Sequence, residues 1–153
     1  MKQLILCASL MLSSIGHSQW DVGYYLDDNG IETNDMFLYQ YVIGKFKRGI
    51  KKNKKCIYFL EHNLADTSFI ITIYPNQKTD EIEVWDYETF QWADIKSTSG
   101  VINSVESFCK DGIIIFDGIE YDQFMNAIKE EGVHTVTLKH TLSKTNYEFT
   151  FKK

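Results

Sequence analysis

The most constraining feature of this sequence is a period of two in its hydrophobic residues, which returns along most of the chain. In residues 37–46 (FLYQYVIGKF) aromatic and aliphatic side chains occupy every second position, so an extended segment would present one apolar face. Similar segments, rich in β-branched and aromatic residues, follow it. We predict strands at residues 37–46, 56–62, 68–75, 81–87, 101–107, 112–116, 133–139 and 146–151.

One segment has a helical period instead. In residues 119–132 (IEYDQFMNAIKEEG) a stripe at i, i+3, i+4 and i+7 predicts an amphipathic helix, and Gly132 is a typical stop signal. The stripe consists of Tyr121, Phe124, Met125 and Ile128. Many short strands and one late helix, without an internal repeat or linker, predict a single mainly-β domain over residues 19–153. We expect an antiparallel β-sandwich, with a small β-barrel as the alternative.

Residues 1–18 have the pattern of an export signal rather than of a folded element. Lys2 precedes an apolar run at residues 4–12, and the small residues Gly16 and Ser18 lie at the positions that a signal peptidase recognises. The apolar run is too short to cross a bilayer. We therefore expect a cleaved signal peptide and a periplasmic or secreted protein that does not span the membrane.

Export determines how the cysteines are interpreted. Cys7 lies within the apolar run after a bulky leucine, which disfavours lipid attachment, and it leaves with the signal. Cys56 and Cys109 then remain, and a pair in an oxidising compartment predicts a disulfide. Closing a loop of about 54 residues would stabilise the fold by about 4 kcal/mol. Two buried free thiols are the alternative.

The charge is unevenly distributed. The chain has 21 acidic and 16 basic residues, a net charge of −5, which argues against nucleic acid as its main ligand. Seven of the eleven residues at 45–55 (KFKRGIKKNKK) are nevertheless basic. This basic run is either a solvated loop between two strands or a patch for an anionic partner, such as lipid head groups, an acidic polysaccharide or another protein. Its candidate binding residues are Lys47, Arg48, Lys51, Lys52, Lys54 and Lys55.

A second candidate site is the aromatic cluster at residues 85–92 (WDYETFQW). Exposed flat rings could stack on sugar rings, and neighbouring polar side chains could bond the hydroxyl groups. Aromatic residues make up 14% of the chain, however, and most of them must serve as core. The sugar-binding candidates are Trp85, Tyr87 and Trp92.

Motifs for metal binding and catalysis are weak. Residues 24–33 (YYLDDNGIET) carry oxygen donors, but the glycine is misplaced for a helical calcium loop, and Asn29-Gly30 is typical of a tight turn. The histidines lack metal-ligand spacing, and the sequence has no nucleophile elbow or glycine-rich phosphate loop. We expect no catalytic residue, metal or cofactor. Since glycoside hydrolysis needs little more than two carboxylates, that chemistry stays a distant alternative.

The mature chain combines an opening tryptophan, a Y-Y-x-D-x-x-G-x-x-T stretch, a G-x-F strand and a late F-x-x-x-[IL]-K helix followed by two strands. These are Trp20, then Tyr24, Tyr25, Asp27, Gly30 and Thr33, then Gly44 and Phe46, then Phe124, Ile128 and Lys129, and the ending NYEFTF. In these motifs the chain resembles a group of small exported β-sandwich proteins common in Bacteroidota. The chain departs from the group in the loop after G-x-F, which here is the basic run. The resemblance implies export and a β architecture, but no chemistry.

We therefore expect an exported, monomeric, non-enzymatic binding protein of the cell envelope, whose partner is an envelope or extracellular macromolecule. A carbohydrate-binding module is the alternative, and a glycoside hydrolase-like enzyme comes third.

Overall fold

A computed structural model describes residues 20–48, 50, 53–75, 89–110, 113–140 and 145–153. This part of the chain forms nine strands and one helix. In chain order they are β1 Asp21–Leu26, β2 Glu32–Arg48, β3 Lys54–Asn63, β4 Ser68–Pro75, β5 Thr89–Lys96, β6 Ile102–Lys110, β7 Ile113–Phe116, α1 Gly118–Ala127, β8 Val133–His140 and β9 Thr145–Lys152. The predicted strand at residues 81–87 lies outside the described residues.

The strands close into an antiparallel barrel. Their order is β1-β2-β3-β4-β7-β6-β5-β8-β9, and a further pairing of β2 with β9 joins the two ends of the eight-stranded ring from β2 to β9. β1 lies outside this ring and pairs with β2. The expected β-sandwich is therefore wrong, and the alternative of a small β-barrel is confirmed.

The length of β2 explains the closure. This strand has 17 residues, which is about 56 Å of extended chain. One edge pairs with β3 along residues 37–46. The other edge pairs with β1 between residues 32 and 39 and with β9 between residues 45 and 48. One long strand therefore closes the ring by pairing with both β3 and β9, and it also carries β1 outside the ring.

The interior is filled by alternate side chains of the ring, as expected of a barrel of this size. Aromatic residues dominate it, and Tyr58 and Phe149 pack with ring centroids 4.5 Å apart. The fully buried large side chains are Tyr58, Tyr147, Phe59, Phe69, Phe116, Phe124, Phe149, Phe151, Leu60, Ile71, Ile95 and Ile114. Of these, Phe59 does not belong to the interior cluster.

The helix α1 packs at one end of the barrel. Phe124 lies against Phe69 and Phe116, with centroid distances of 4.4 and 4.5 Å. The predicted stripe of this helix is confirmed, because all four of its residues belong to the core or pack against it. The helix ends earlier than predicted, at Ala127, where the N–H of Ile128 bonds to the carbonyl of Phe124. Gly132, the predicted stop, has φ +125 just before β8.

Trp20 contributes to the same end of the barrel. Its ring makes edge contacts with Phe69 and Phe151, with centroids 6.1 and 6.2 Å apart. Its indole N–H donates to the carbonyl of Lys152 at 3.3 Å. The first described residue is thus held against the interior cluster.

Gly44 lies at the seam where β2 and β9 meet. A Cβ atom at this position would overlap the carbonyl oxygen of Glu148 and lie 2.5 Å from Cε2 of Tyr58 and 2.8 Å from Cβ of Phe149. The Tyr58 hydroxyl donates to the carbonyl of Lys45 at 3.0 Å. The seam therefore requires a residue without a side chain.

Cys56 and Cys109 are buried free thiols, so the predicted disulfide is not formed in this fold. The reason is topological. Cys56 lies on β3 and Cys109 on β6, three steps apart around the ring, and each step separates neighbouring backbones by about 4.8 Å. A disulfide requires Cα atoms within about 7 Å of each other. Burial raises the pKa of the Cys56 thiol to about 11.

Candidate functional site

The outer wall of β2, β3 and β4 carries a row of apolar side chains. Since residues 42, 58 and 60 point into the core, the odd-numbered positions of β2 and β3 point outward. Tyr41 and Tyr74 are 47% and 40% exposed, and Ile43 is 72% exposed. We call this surface the aromatic face, and it consists of Tyr39, Tyr41, Ile43, Ile57, Phe59 and Tyr74.

The rings of the aromatic face pack on each other at an angle. Phe59 is 1% exposed, and Tyr41 and Tyr39 cover it at centroid distances of 4.9 and 5.7 Å. Tyr39 and Tyr41 meet edge to face at 80°. The outer wall therefore has a small apolar cluster of its own, but its rings do not form one flat platform.

A buried polar network borders the aromatic face on the side of β1. The Tyr25 hydroxyl donates to the Glu61 carboxylate, and the Asn63 amide donates to the Tyr25 oxygen at 2.9 Å. Asn63 also accepts the N–H groups of Ala65 and Asp66 at 2.9 and 3.1 Å. Burial raises the pKa of Glu61, and the bond from Tyr25 partly opposes this shift. The network ties β1 to the turn between β3 and β4.

Lysines border the aromatic face at its other end. Lys45 and Lys55 are direct cross-strand partners, next to the pair formed by Ile43 and Ile57. Lys45 forms an ion pair with Glu148 at 2.8 Å. Like charges opposite one another on adjacent strands are destabilising, and the ion pair with Glu148 offsets part of the repulsion between these two lysines.

The two ends of the basic run belong to strands that pair with each other. Residues 45–48 end β2, and Lys54 and Lys55 begin β3. Lys47, Lys54 and Lys55 are exposed. The backbone of Arg48 is part of β2, while Lys51 and Lys52 lie outside the described residues. Lys47 and Lys55 lie at odd-numbered positions, on the outer side with the aromatic face, whereas Lys54 lies at an even-numbered position opposite Phe46. The structure thus places two of the six predicted residues beside the aromatic face.

Of the three sugar-binding candidates, the structure describes Trp92, whereas Trp85 and Tyr87 lie outside the described residues. Trp92 is 52% exposed and points outward from β5, because its neighbour Ala93 is buried. Its cross-strand partners are Glu106 on β6 and Lys139 on β8. Four ring steps separate β5 from β3, so Trp92 and the aromatic face lie on opposite walls of the barrel.

Polar side chains flank Trp92 across the strands and on the side of Asp94. Asp94 accepts a hydrogen bond from the Ser104 hydroxyl at 2.7 Å and also pairs with the Lys139 ammonium group. These two bonds hold the pKa of Asp94 below its usual value. We call this group the Trp92 site, and it consists of Trp92, Asp94, Ser104, Glu106, Thr137 and Lys139.

His62 and His134 each contact another part of the fold through a ring nitrogen. Nε2 of His62 lies 2.8 Å from the Tyr121 hydroxyl and so links β3 to α1. His134 is fully buried, and its Nε2 lies 2.8 Å from the carbonyl of Glu130. Among the described residues, His134 Nδ1 and the side-chain amide of Gln40 are buried polar atoms without a hydrogen-bond partner.

Within residues 24–33, the segment compared above with a calcium loop, Asn29-Gly30 lies in the predicted tight turn. Gly30 has φ +79, and its N–H bonds to the carbonyl of Asp27 at 3.0 Å. The Asp27 carboxylate accepts the N–H groups of Asn29 and Ile31 at 2.8 and 2.9 Å. These bonds lower the pKa of Asp27.

No group of three or more metal-ligating side chains occurs within the described ranges. The helix in this part of the chain is not long and apolar enough to cross a membrane.

Sequence reasoning missed several residues of both surfaces. It placed Phe37, Tyr39, Tyr41 and Ile43 on one face of a strand, but the pattern did not reveal that this face points away from the core. It also passed over Glu61, Tyr74, Asp94 and Lys139. Their signal was weak, because contact across strands depends on register, which a single sequence does not determine.

Comparisons with known proteins found no match for this chain. No protein-family model matches the chain, and no curated protein or solved structure matches it.

Proposed function

We propose that this chain is an exported, monomeric, non-enzymatic binding protein of the cell envelope, whose aromatic face binds an acidic macromolecule. The observation that carries the proposal is the exposed pair of Ile43 and Tyr41 beside the paired lysines Lys45 and Lys55. Export rests on the pattern of residues 1–18, and the choice of surface rests on the exposure of these side chains on β2 and β3.

The chemistry of the surface favours a protein partner. Specific protein interfaces have an apolar, often aromatic, centre and a polar rim. Here Tyr41, Ile43 and Tyr74 form the centre, and Lys47 and Lys55 stand at the rim. The tilted rings are less suited to stacking on an extended sugar chain. The lysines select for acidic groups and speed association at low salt.

The first experiment identifies the partner with matched variants. Residues 19–153 serve as bait in an envelope extract, in parallel with Ile43→Asp and with the double variant Lys47→Ser/Lys55→Ser. Lys96→Ser/Lys129→Ser is the control, because it removes the same charge from exposed positions elsewhere. A partner that binds by this surface is captured by the wild type and the control and is lost with Ile43→Asp.

The second experiment measures affinity with the purified partner. We expect the Kd to rise steeply between 50 and 300 mM salt, and the salt dependence to weaken in the double lysine variant. Equal affinity of the wild type and Ile43→Asp for every captured partner would refute the proposal. Binding to vesicles of anionic lipid, with no protein captured, would replace the protein partner by a membrane surface.

Export has its own test. Expression of the full-length chain followed by fractionation should give a mature product that begins at Gln19 outside the cytoplasm. An intact product inside the cell would contradict this part of the proposal and leave the binding surface untouched.

A further inference from the structure

We infer that the Trp92 site binds a sugar ring of a neutral glycan. This inference goes beyond the proposed function and concerns the opposite wall of the barrel. It rests on the exposed Trp92 ring and on the polar side chains that the register of β5, β6 and β8 places around it.

The first step concerns the exposure of the Trp92 indole ring. Trp92 projects from the outer wall of the barrel, is half exposed, and makes no aromatic ring contact within the described part of the chain. The face of an aromatic ring is electron-rich, so it attracts the polarised C–H groups on the apolar face of a pyranose ring. The exposed part of the indole therefore offers a stacking surface for one sugar ring.

The second step is the placement of hydrogen-bonding groups around the ring. Glu106 and Lys139 flank Trp92 in one cross-strand row. Ser104 and Thr137 flank Asp94 in the next row. Cross-strand side chains in such rows begin about 5 Å apart, so these groups surround a ring stacked on Trp92.

The third step is the organisation of Asp94. Its two oxygen atoms accept bonds from Ser104 and Lys139, which fix the orientation of the carboxylate. A carboxylate has about four acceptor positions, so Asp94 can still accept from sugar hydroxyl groups. Lys139 keeps donors for sugar oxygens. A fixed acceptor beside a donor suits a pair of adjacent hydroxyl groups.

The charge of the site selects the class of sugar. Asp94 and Glu106 outnumber Lys139 within the site, so acidic sugars are disfavoured there. The polar side chains in the rows of Trp92 and Asp94 differ from the apolar centre that a protein interface requires. A neutral glycan is therefore the ligand that fits the site.

The test begins with an array of neutral and acidic polysaccharides probed with residues 19–153. Oligosaccharides of a bound neutral glycan are then titrated calorimetrically against the wild type and four variants. We expect Trp92→Ala to raise the Kd at least tenfold and Asp94→Asn to raise it severalfold. Trp92→Phe should keep part of the affinity, because it keeps a ring. Tyr41→Ala, which removes a similarly exposed ring from the opposite wall, should leave the Kd unchanged.

Several results would overturn the inference. They are the absence of binding to any neutral glycan, undiminished binding by a folded Trp92→Ala protein, and equal loss in Tyr41→Ala. Binding restricted to acidic polysaccharides would contradict the charge argument. The proposed function is tested separately, because Ile43→Asp should abolish capture of the acidic partner without changing glycan affinity.

Discussion

Replacing Gly44 by alanine tests the closure of the barrel at its seam. The new Cβ would overlap the Glu148 carbonyl oxygen and stand 2.5 Å from the Tyr58 ring, whereas carbon atoms at rest are about 3.5–4.0 Å apart. The carbonyl belongs to the backbone of β9 and cannot move without shifting the strand. Overpacking of this kind costs about 1–3 kcal/mol, and we expect the upper part of that range.

One further effect refines this magnitude. Alanine restricts the unfolded chain, which stabilises the folded state by about 0.4–1 kcal/mol and offsets part of the strain. We therefore expect Gly44→Ala to lower the free energy of unfolding by about 2 kcal/mol. At about 3 °C per kcal/mol for a chain of this size, the melting temperature should fall by about 6 °C.

Urea unfolding followed by tryptophan fluorescence measures the effect, and Gly100→Ala is the matched control. Gly100 has φ +86, and no atom lies within 4 Å of an added Cβ, so this variant carries a backbone penalty of about 1 kcal/mol without steric overlap. Gly44→Ala should thus be the more damaging variant. If it unfolds at the same urea concentration as the wild type, β2 and β9 do not approach as closely as the structure shows.

Three further predictions concern buried groups. Burial raises the folded-state pKa of Glu61, so the stability that this group contributes is present in acid and is lost as pH rises through that pKa. The urea midpoint of Glu61→Gln should therefore rise relative to that of the wild type between pH 4 and pH 7. The opposite trend would contradict the burial argument. Without reductant, Cys56 and Cys109 should resist alkylation in the native protein and both react after unfolding, as shown by intact mass, whereas a disulfide would block both. Tyr58→Phe removes the hydroxyl that donates to the Lys45 carbonyl in a partly buried bond and should destabilise the fold by about 1 kcal/mol in the same urea assay, while an unchanged midpoint would show that the bond contributes nothing.

The local elements could be predicted from the sequence, because each depends on a pattern within a few residues. The strand at residues 56–62 appears within Lys54–Asn63, and the one at residues 68–75 has the observed bounds. The helix stripe was recognised by its spacing, although its end was misplaced. Period and composition determine these features.

The closure of the barrel could not be predicted, because it depends on pairing between residues distant in sequence. Lys45 pairs with Glu148, and Cys109 lies on a strand that does not adjoin the strand of Cys56. Alternating patterns fit a sandwich and a barrel equally well. The same limit applies to the Trp92 site, where Asp94 and Lys139 meet only through the register of β5 and β8.

The opposite placement of the two surfaces has a consequence for how the molecule can act. A flat partner that covers one wall leaves the other wall accessible, so two partners can be held at once with the barrel as a rigid spacer between them. Loss of either surface would turn such a cross-linker into a monovalent ligand. Tethering of this kind raises the effective concentration of each partner for the other without any direct contact between them.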